Sequence, residues 1–388
     1  MIKTLMAHTT EIDDIDLALT EIKNQLAIEN GLLSNSVGIV ACHYEFLYSG
    51  AAKTICDSLP FDVLGAVTLS HAVKEANDSM MLTITVLTSD DVSFKTIFTA
   101  PFSSDNHSDI IENAYLEAAS ERSEKPALII PFLPFIFDIS GDEYIDIFTR
   151  ISGDVPYFGT LAIDDTENVE NAHVVFNGEY APDRMALLLI YGDINPRFFI
   201  ATLSPEQIID KPAFITKSDR NILIGVNNHP VEKFFTDLGL AEASEKMFTM
   251  DSMPFLLDYC DGTPPVSRVF LGTTPERHSI CAGHLPEGAT LSVGFFDKED
   301  VLFTTGNALD KALDASNDAS FMLIFSCISR SISLGFDADA ELNLVQKKLG
   351  SRLPYMASYS GGEICPTQIS SSKVINRYHN NTFIICML

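Results

Sequence analysis

Short apolar runs rich in β-branched and aromatic residues recur from one end of this chain to the other, with helix-period segments between them. Runs at 37–42, 63–69, 82–87, 94–98, 157–163, 174–176, 185–191, 198–203, 321–327 and 382–386 read as strands. Ile12, Ile15, Leu19, Ile22 and Leu26 share one helical face behind a Thr10 cap, and Asn30-Gly31 ends that helix. Further helices are expected at 108–124, 142–151, 241–258, 297–313 and 337–349, with Thr304-Thr305-Gly306 interrupting the fourth. Asn177-Gly178 is a turn signal between the runs at 174–176 and 185–191. This order is neither strict βαβ alternation nor all-β. It predicts an α/β fold with an α+β tendency, each domain a mixed, largely antiparallel sheet packed with helices.

At 388 residues the chain exceeds what one compact core usually serves, so two domains are expected. Ser204-Pro205-Glu206 and Lys211-Pro212 break the pattern, which divides the chain into 1–210 and 211–388. Apolar residues make up 46% and charged residues 20%, a balance that supports a large core and argues against disorder. The net charge of −28 repels phosphate backbones and anionic membranes, so neither nucleic acid nor a membrane is an expected partner. The longest apolar stretch, 127–137, contains two prolines and is too short to span a bilayer. No pair among the seven cysteines has CxxC spacing, and most sit in apolar runs, as reduced cysteines of a cytoplasmic protein do.

The segment 37–42, a helix, then Leu59-Pro60-Phe61 echoes the segment 321–327, a helix, then Leu353-Pro354-Tyr355. Both halves therefore read as a strand ending in Cys, then a helix feeding a second strand. Tyr359-Ser360-Gly361-Gly362-Glu363-Ile364-Cys365-Pro366, followed by Tyr378-His379-Asn380-Asn381-Thr382, resembles the signature of the FIST C domain. Phe325-Ser326-Cys327-Ile328-Ser329-Arg330 and Pro286-Glu287-Gly288 are similar to two further elements of that domain, in the same order. Asp62-Val63-Leu64-Gly65-Ala66-Val67-Thr68 and the stretch Tyr157 to Asp164 resemble FIST N elements, with Ala66, Ser70 and Thr160 departing from the pattern. The resemblance implies a sensory module for a small ligand, an amino acid being the leading suggestion, that signals through a separate protein because no output module is expected on this chain. Some family members bind haem and respond to nitric oxide, so a haem-based gas sensor is the alternative; otherwise no cofactor is expected.

The candidate ligand-binding residues are Cys327, Arg330, Gly361, Gly362, Glu363, His379 and Asn380, with Gly65, Thr68, Gly159 and Asp164 from the N-terminal elements. Arg330 and Glu363 together would hold both ends of an amino acid; paired with each other instead, they would be a buried internal ion pair. His379, His43 and His71 are the candidate haem ligands. Cys327 with His379 as its base would make a thiol enzyme, a weaker reading. No GxGxxG or GxxxxGK[ST] motif is present, which leaves nucleotide chemistry without support. Asp13-Asp14, Asp90-Asp91 and Asp164-Asp165 read as caps and turns rather than metal sites.

Overall fold

A computed structural model describes residues 1–166, 168–209, 212–240, 253–370 and 373–388. Three six-stranded sheets are built to one plan. In the first, Lys3–Thr9 lies antiparallel to Leu82–Ser89, which lies antiparallel to Asn35–Cys42; that strand runs parallel to Val63–Val67. The second repeats the pattern with Ser93–Phe98, Ala186–Tyr191, Leu128–Leu133 and Gly159–Leu161. The third repeats it with Arg197–Ala201, Phe383–Met387, Met322–Cys327 and Tyr355–Ser360.

The last two strands of each sheet are a hairpin on loan from another repeat. The first repeat lends Leu69–Ala72 and Asn77–Asp78 to the third sheet. The second lends Val174–Phe176 and Glu179–Ala181 to the first, turning at Asn177-Gly178. The third lends Glu363–Ser370 and Lys373–His379 to the second. This cyclic exchange ties the three repeats into one body about a pseudo-threefold axis, with strands from both sides of residue 210 in the second and third sheets.

Side-chain alternation along the strands gives each sheet an inner and an outer face. Inner residues such as Ile39, Leu64, Phe132, Phe158, Phe325 and Ile384 meet in one central core. Outer residues pack under helices that supply the parallel crossovers. Ala18, Ile22 and Ile55 cover Val40 and Ile84; Ile111, Tyr144 and Phe148 cover Ile129 and Leu187; Leu309, Leu342 and Val345 cover Ile324 and Ile385. At Gly65 and Gly159 the parallel neighbours come so close that a Cβ would overlap the carbonyl oxygens of Val40 and Pro131.

The echo seen in the sequence is thus a threefold repeat, with Val155-Pro156-Tyr157 as its third copy. Register aligns Cys42 with Ser326 rather than with Cys327. Cys42 packs outward under helices, whereas the outward Ser326 hydroxyl reaches Glu341 on the helix Ala340–Leu349, and Cys327 turns inward. The first helix spans Ile15–Leu26 and is capped by Asp14, not Thr10, because Thr9 and Thr10 still belong to the strand end and its exit. Lys298–Asp314 is unbroken: Thr304 bonds back to the Asp300 carbonyl, and buried Thr305 packs within the helix. Phe255–Asp258 is a strand rather than the end of a helix, and residues 241–252 lie outside the described residues.

Between Ala201 and Lys298 the third repeat carries an inserted antiparallel unit with its own core of Ile215, Leu223, Phe235, Phe255, Phe270 and Leu291. Arg268 fastens it to the body. The fully buried guanidinium meets Asp142 at 3.0 Å and the Tyr378 carbonyl at 2.8 Å, while Asn380 donates to the Ser267 carbonyl at 3.3 Å.

Candidate functional site

The C-terminal ends of the three parallel pairs converge on the pseudo-threefold axis. Ile163 donates its N–H to the Val67 carbonyl at 3.1 Å, Gly361 donates to Leu161 at 3.0 Å, and Leu69 pairs with Tyr359. Register makes Thr68, Ala162 and Ser360 equivalent, and likewise the hairpin residues His71, Val174 and Glu363, which face Ser358, Ala66 and Thr160. Two of these three positions are polar in the same way. The Thr68 hydroxyl lies 2.8 Å from His71 Nε2, and the Ser360 hydroxyl donates to Glu363 at 2.8 Å. The central core therefore ends in a buried polar layer.

Glu363 is its centre. Thr382 donates a second hydrogen bond to the carboxyl at 2.7 Å, and the group is wholly buried. Burial pushes its pKa up to about 8, although the Thr382 and Ser360 hydroxyls and Arg330 oppose the rise, so the neutral acid dominates at pH 7. Burial, then nearby His43, lowers the His71 ring to about 3, and that ring stays neutral as well. Ser329 donates to Cys327 Sγ at 3.0 Å and also bonds Asn381. Burial, followed by Glu363, pushes the Cys327 thiol up to about 12; it is a thiol at neutral pH, not the nucleophilic thiolate.

Tyr378 packs beside this layer. Its ring fills the space beside Gly141 and Gly362, where any Cβ would overlap it, and Gly362 holds a positive φ of 151°. Burial, then Cys327, raises its hydroxyl, with Glu363 contributing and Asn380 opposing through a hydrogen bond. Beside these groups Asn380 Oδ1, Asn381 Nδ2, Ser267 Oγ, Ser358 Oγ and His71 Nδ1 are buried without a hydrogen-bond partner. Each such group costs about 1–3 kcal/mol, so a cluster of them marks a place arranged for something other than stability.

Cys327, Gly361, Gly362, Glu363 and Asn380 come together here, and Thr68 lies across the axis from them. Gly65 and Gly159 set the strand spacing beneath. Asp164 stands two residues past Ala162 and holds its own loop, accepting from Thr166 N at 3.0 Å, from the Thr166 hydroxyl at 2.9 Å and from Asn171 N. His379 turns to the Cys365 carbonyl at 3.2 Å, and burial lowers its ring to about 3. His43 Nδ1 accepts from Glu45 N at 3.3 Å, and its Nε2 lies 3.6 Å from Asp165.

Of the two alternatives for Arg330 and Glu363, the internal ion pair between them does not form. Arg330 pairs with Glu341 at 2.8 Å, both fully buried, and gives its other donors to the Val301 and Asn381 carbonyls and to Thr305. It buttresses the Asn381 backbone from behind the polar layer. The sequence reading missed Ser360, Ser329, Tyr378 and Asn381 as lining residues and Glu341 as the partner of Arg330. The hydroxyl-to-titratable spacing of three residues, shared by Thr68/His71 and Ser360/Glu363, was a signal that points to two of these positions.

Comparison with known families matches residues 36–229 to the FIST N domain and residues 233–366 to the FIST C domain. No curated protein matches the chain. Among solved structures, T. maritima PurL complexed with AMPPCP is similar over 100% of this chain and 72% of its own, at 10% identity and a TM-score of 0.21. T. maritima PurL complexed with FGAR has the same coverage, 9% identity and a TM-score of 0.20. At these scores the likeness carries no argument about fold or function. The two domain matches, in the order N then C and together spanning most of the chain, show that it belongs to the FIST family.

Proposed function

We infer from the FIST N and FIST C domain matches that this chain senses a small ligand in signal transduction, the role with which FIST domains are associated. On this reading the chain is a non-catalytic sensor whose buried polar layer at the pseudo-threefold axis takes one small polar metabolite, an amino acid. The observation that carries the proposal is Glu363, wholly buried and held by Ser360 and Thr382, beside the unpaired Asn380 Oδ1 and Asn381 Nδ2. An ammonium group entering beside Glu363 draws the carboxyl to its ionised form and gains a charge-assisted hydrogen bond. The Asn381 amide offers a donor to the ligand carboxylate, in place of the committed Arg330.

The inserted unit is the element that would pass the ligand state to a separate protein partner, because Ser267 and Arg268 bond the backbone of Tyr378 and Asn380 in the polar layer. No helix among the described residues is long and apolar enough to cross a membrane, and the seven cysteines are unpaired, which supports a reducing, cytoplasmic setting. Thermal unfolding against amino acids, organic acids and haem tests the proposal. A ligand at a thousand times its Kd adds about 4 kcal/mol, a midpoint rise on the order of 10 °C. A rise with amino acids alone supports it; a rise with haem alone, in a coloured protein, replaces it with the gas-sensor reading.

A further inference from the structure

A second group of side chains stands at the same end of the first sheet, outside the polar layer. Beyond Cys42 the chain enters a short turn of helix, Glu45–Tyr48, and the hairpin lent by the second repeat brings His173 and Tyr180 against it. The rings of Tyr48, His173 and Tyr180 form a triangle with centroid separations of 5.1, 6.0 and 6.4 Å. Their planes meet at 64°, 76° and 87°, so they make an open corner and not a stack. Tyr48 and Tyr180 remain 52% and 41% exposed, and the Tyr48 hydroxyl is tethered to Asn171. Tyr44 extends the aromatic wall, 5.7 Å from Tyr48.

Carboxylates surround this corner. Burial, then Tyr180 and the charges of Asp164, Glu45 and Glu170, raises the Tyr48 hydroxyl; burial, then Asp165, Glu45 and Asp164, raises Tyr44. At the base, His173 is 8% exposed and its Nδ1 is buried without a hydrogen-bond partner. Aromatic faces within a negative field attract cations, and an imidazole nitrogen without a proton accepts from an N–H.

We propose that the Tyr48–His173–Tyr180 corner is a second ligand site, for a small organic ammonium that bears at least one N–H. The cation stacks on the exposed ring faces, the N–H points to His173 Nδ1, and Glu45, Asp164 and Glu170 supply the field. Glu363, Asn380 and Asn381 take no part, so this site stands or falls apart from the sensor reading above.

Ligand-observed NMR with putrescine as probe tests it, with 1,4-butanediol as the neutral counterpart and tetramethylammonium as the cation lacking N–H. Putrescine is expected to bind the wild-type protein, butanediol not to bind, and tetramethylammonium to bind more weakly. Tyr180→Ala and Tyr48→Ala are expected to weaken putrescine about fivefold each, and Tyr180→Phe to retain it. Glu363→Gln is expected to leave putrescine unaffected. Butanediol binding equally, tetramethylammonium binding as tightly, Tyr180→Ala without effect, or no putrescine binding to the folded protein would overturn the proposal.

Discussion

Replacing Glu363 with Gln removes the carboxyl at the centre of the polar layer while keeping its shape and much of its hydrogen bonding to Ser360 and Thr382. In the folded protein this carboxyl has a pKa of about 8, against an ordinary value of 4.5. Below pH 4.5 folded and unfolded chains both hold the proton, and the carboxyl has no pH-linked effect on stability. Between 4.5 and about 8 only the folded chain holds it, so stability falls by about 1.4 kcal/mol per pH unit. Above that range the loss is complete, at roughly 5 kcal/mol. His71 and His379 act in the opposite sense: each has a lowered folded value near 3, and the stability it contributes is lost as pH falls below 6.5. The difference between Glu363→Gln and wild type cancels these histidine terms. Urea unfolding at pH 5, 6, 7 and 8 is expected to show the variant gaining on wild type by roughly 4 kcal/mol across the series. A difference that stays constant with pH would refute the neutral, buried acid and the ligand-linked proton loss that follows from it.

Three more outcomes follow from the same geometry. Gly159→Ala drives a Cβ into the Pro131 carbonyl and is expected to destabilise by at least about 3 kcal/mol in chemical unfolding, whereas Gly288→Ala meets open space and costs only the strain of its positive φ. Glu341→Gln leaves the Arg330 charge buried without a counter-ion and is expected to cost about 3–5 kcal/mol by the same measurement, while replacing both residues with Met costs far less. Iodoacetamide at pH 7.5 is expected to label exposed Cys260 well before Cys327, as read by peptide mass spectrometry, because the Cys327 thiol is buried and protonated.

Much of the fold was legible because strands and helices carry their own periods. The Val37-to-Cys42 and Phe321-to-Cys327 runs, the Leu-Pro entries to the second strands and the helix behind Ile15, Leu19 and Ile22 all declare themselves locally. What the sequence concealed was exchange between repeats. Nothing in Leu69–Ala72 says that it pairs with Tyr355–Ser360, because cross-strand partners are fixed by packing and not by the strand itself. The same limit explains the Arg330 error. Arg330 and Glu363 were read as partners, on a ligand or with each other, but Glu341, at one helical position among several acidic residues, is the partner of Arg330. In the candidate site, the glycines and Glu363 stood out through their motif. Ser360 and Tyr378 did not, since a serine in a strand and a tyrosine before His-Asn acquire meaning only when the pseudo-threefold axis brings them together.

Calorimetric titration of an amino-acid panel into wild-type, Asn380→Ala and Glu363→Gln proteins tests the central claim most directly. The account predicts that one amino acid binds the wild-type chain with unit stoichiometry and that both variants, still folded, lose at least about tenfold in affinity, the effect of removing one buried charged or polar contact. Equal binding by all three proteins would place the ligand elsewhere, and no binding by the folded wild type would contradict the sensor reading altogether.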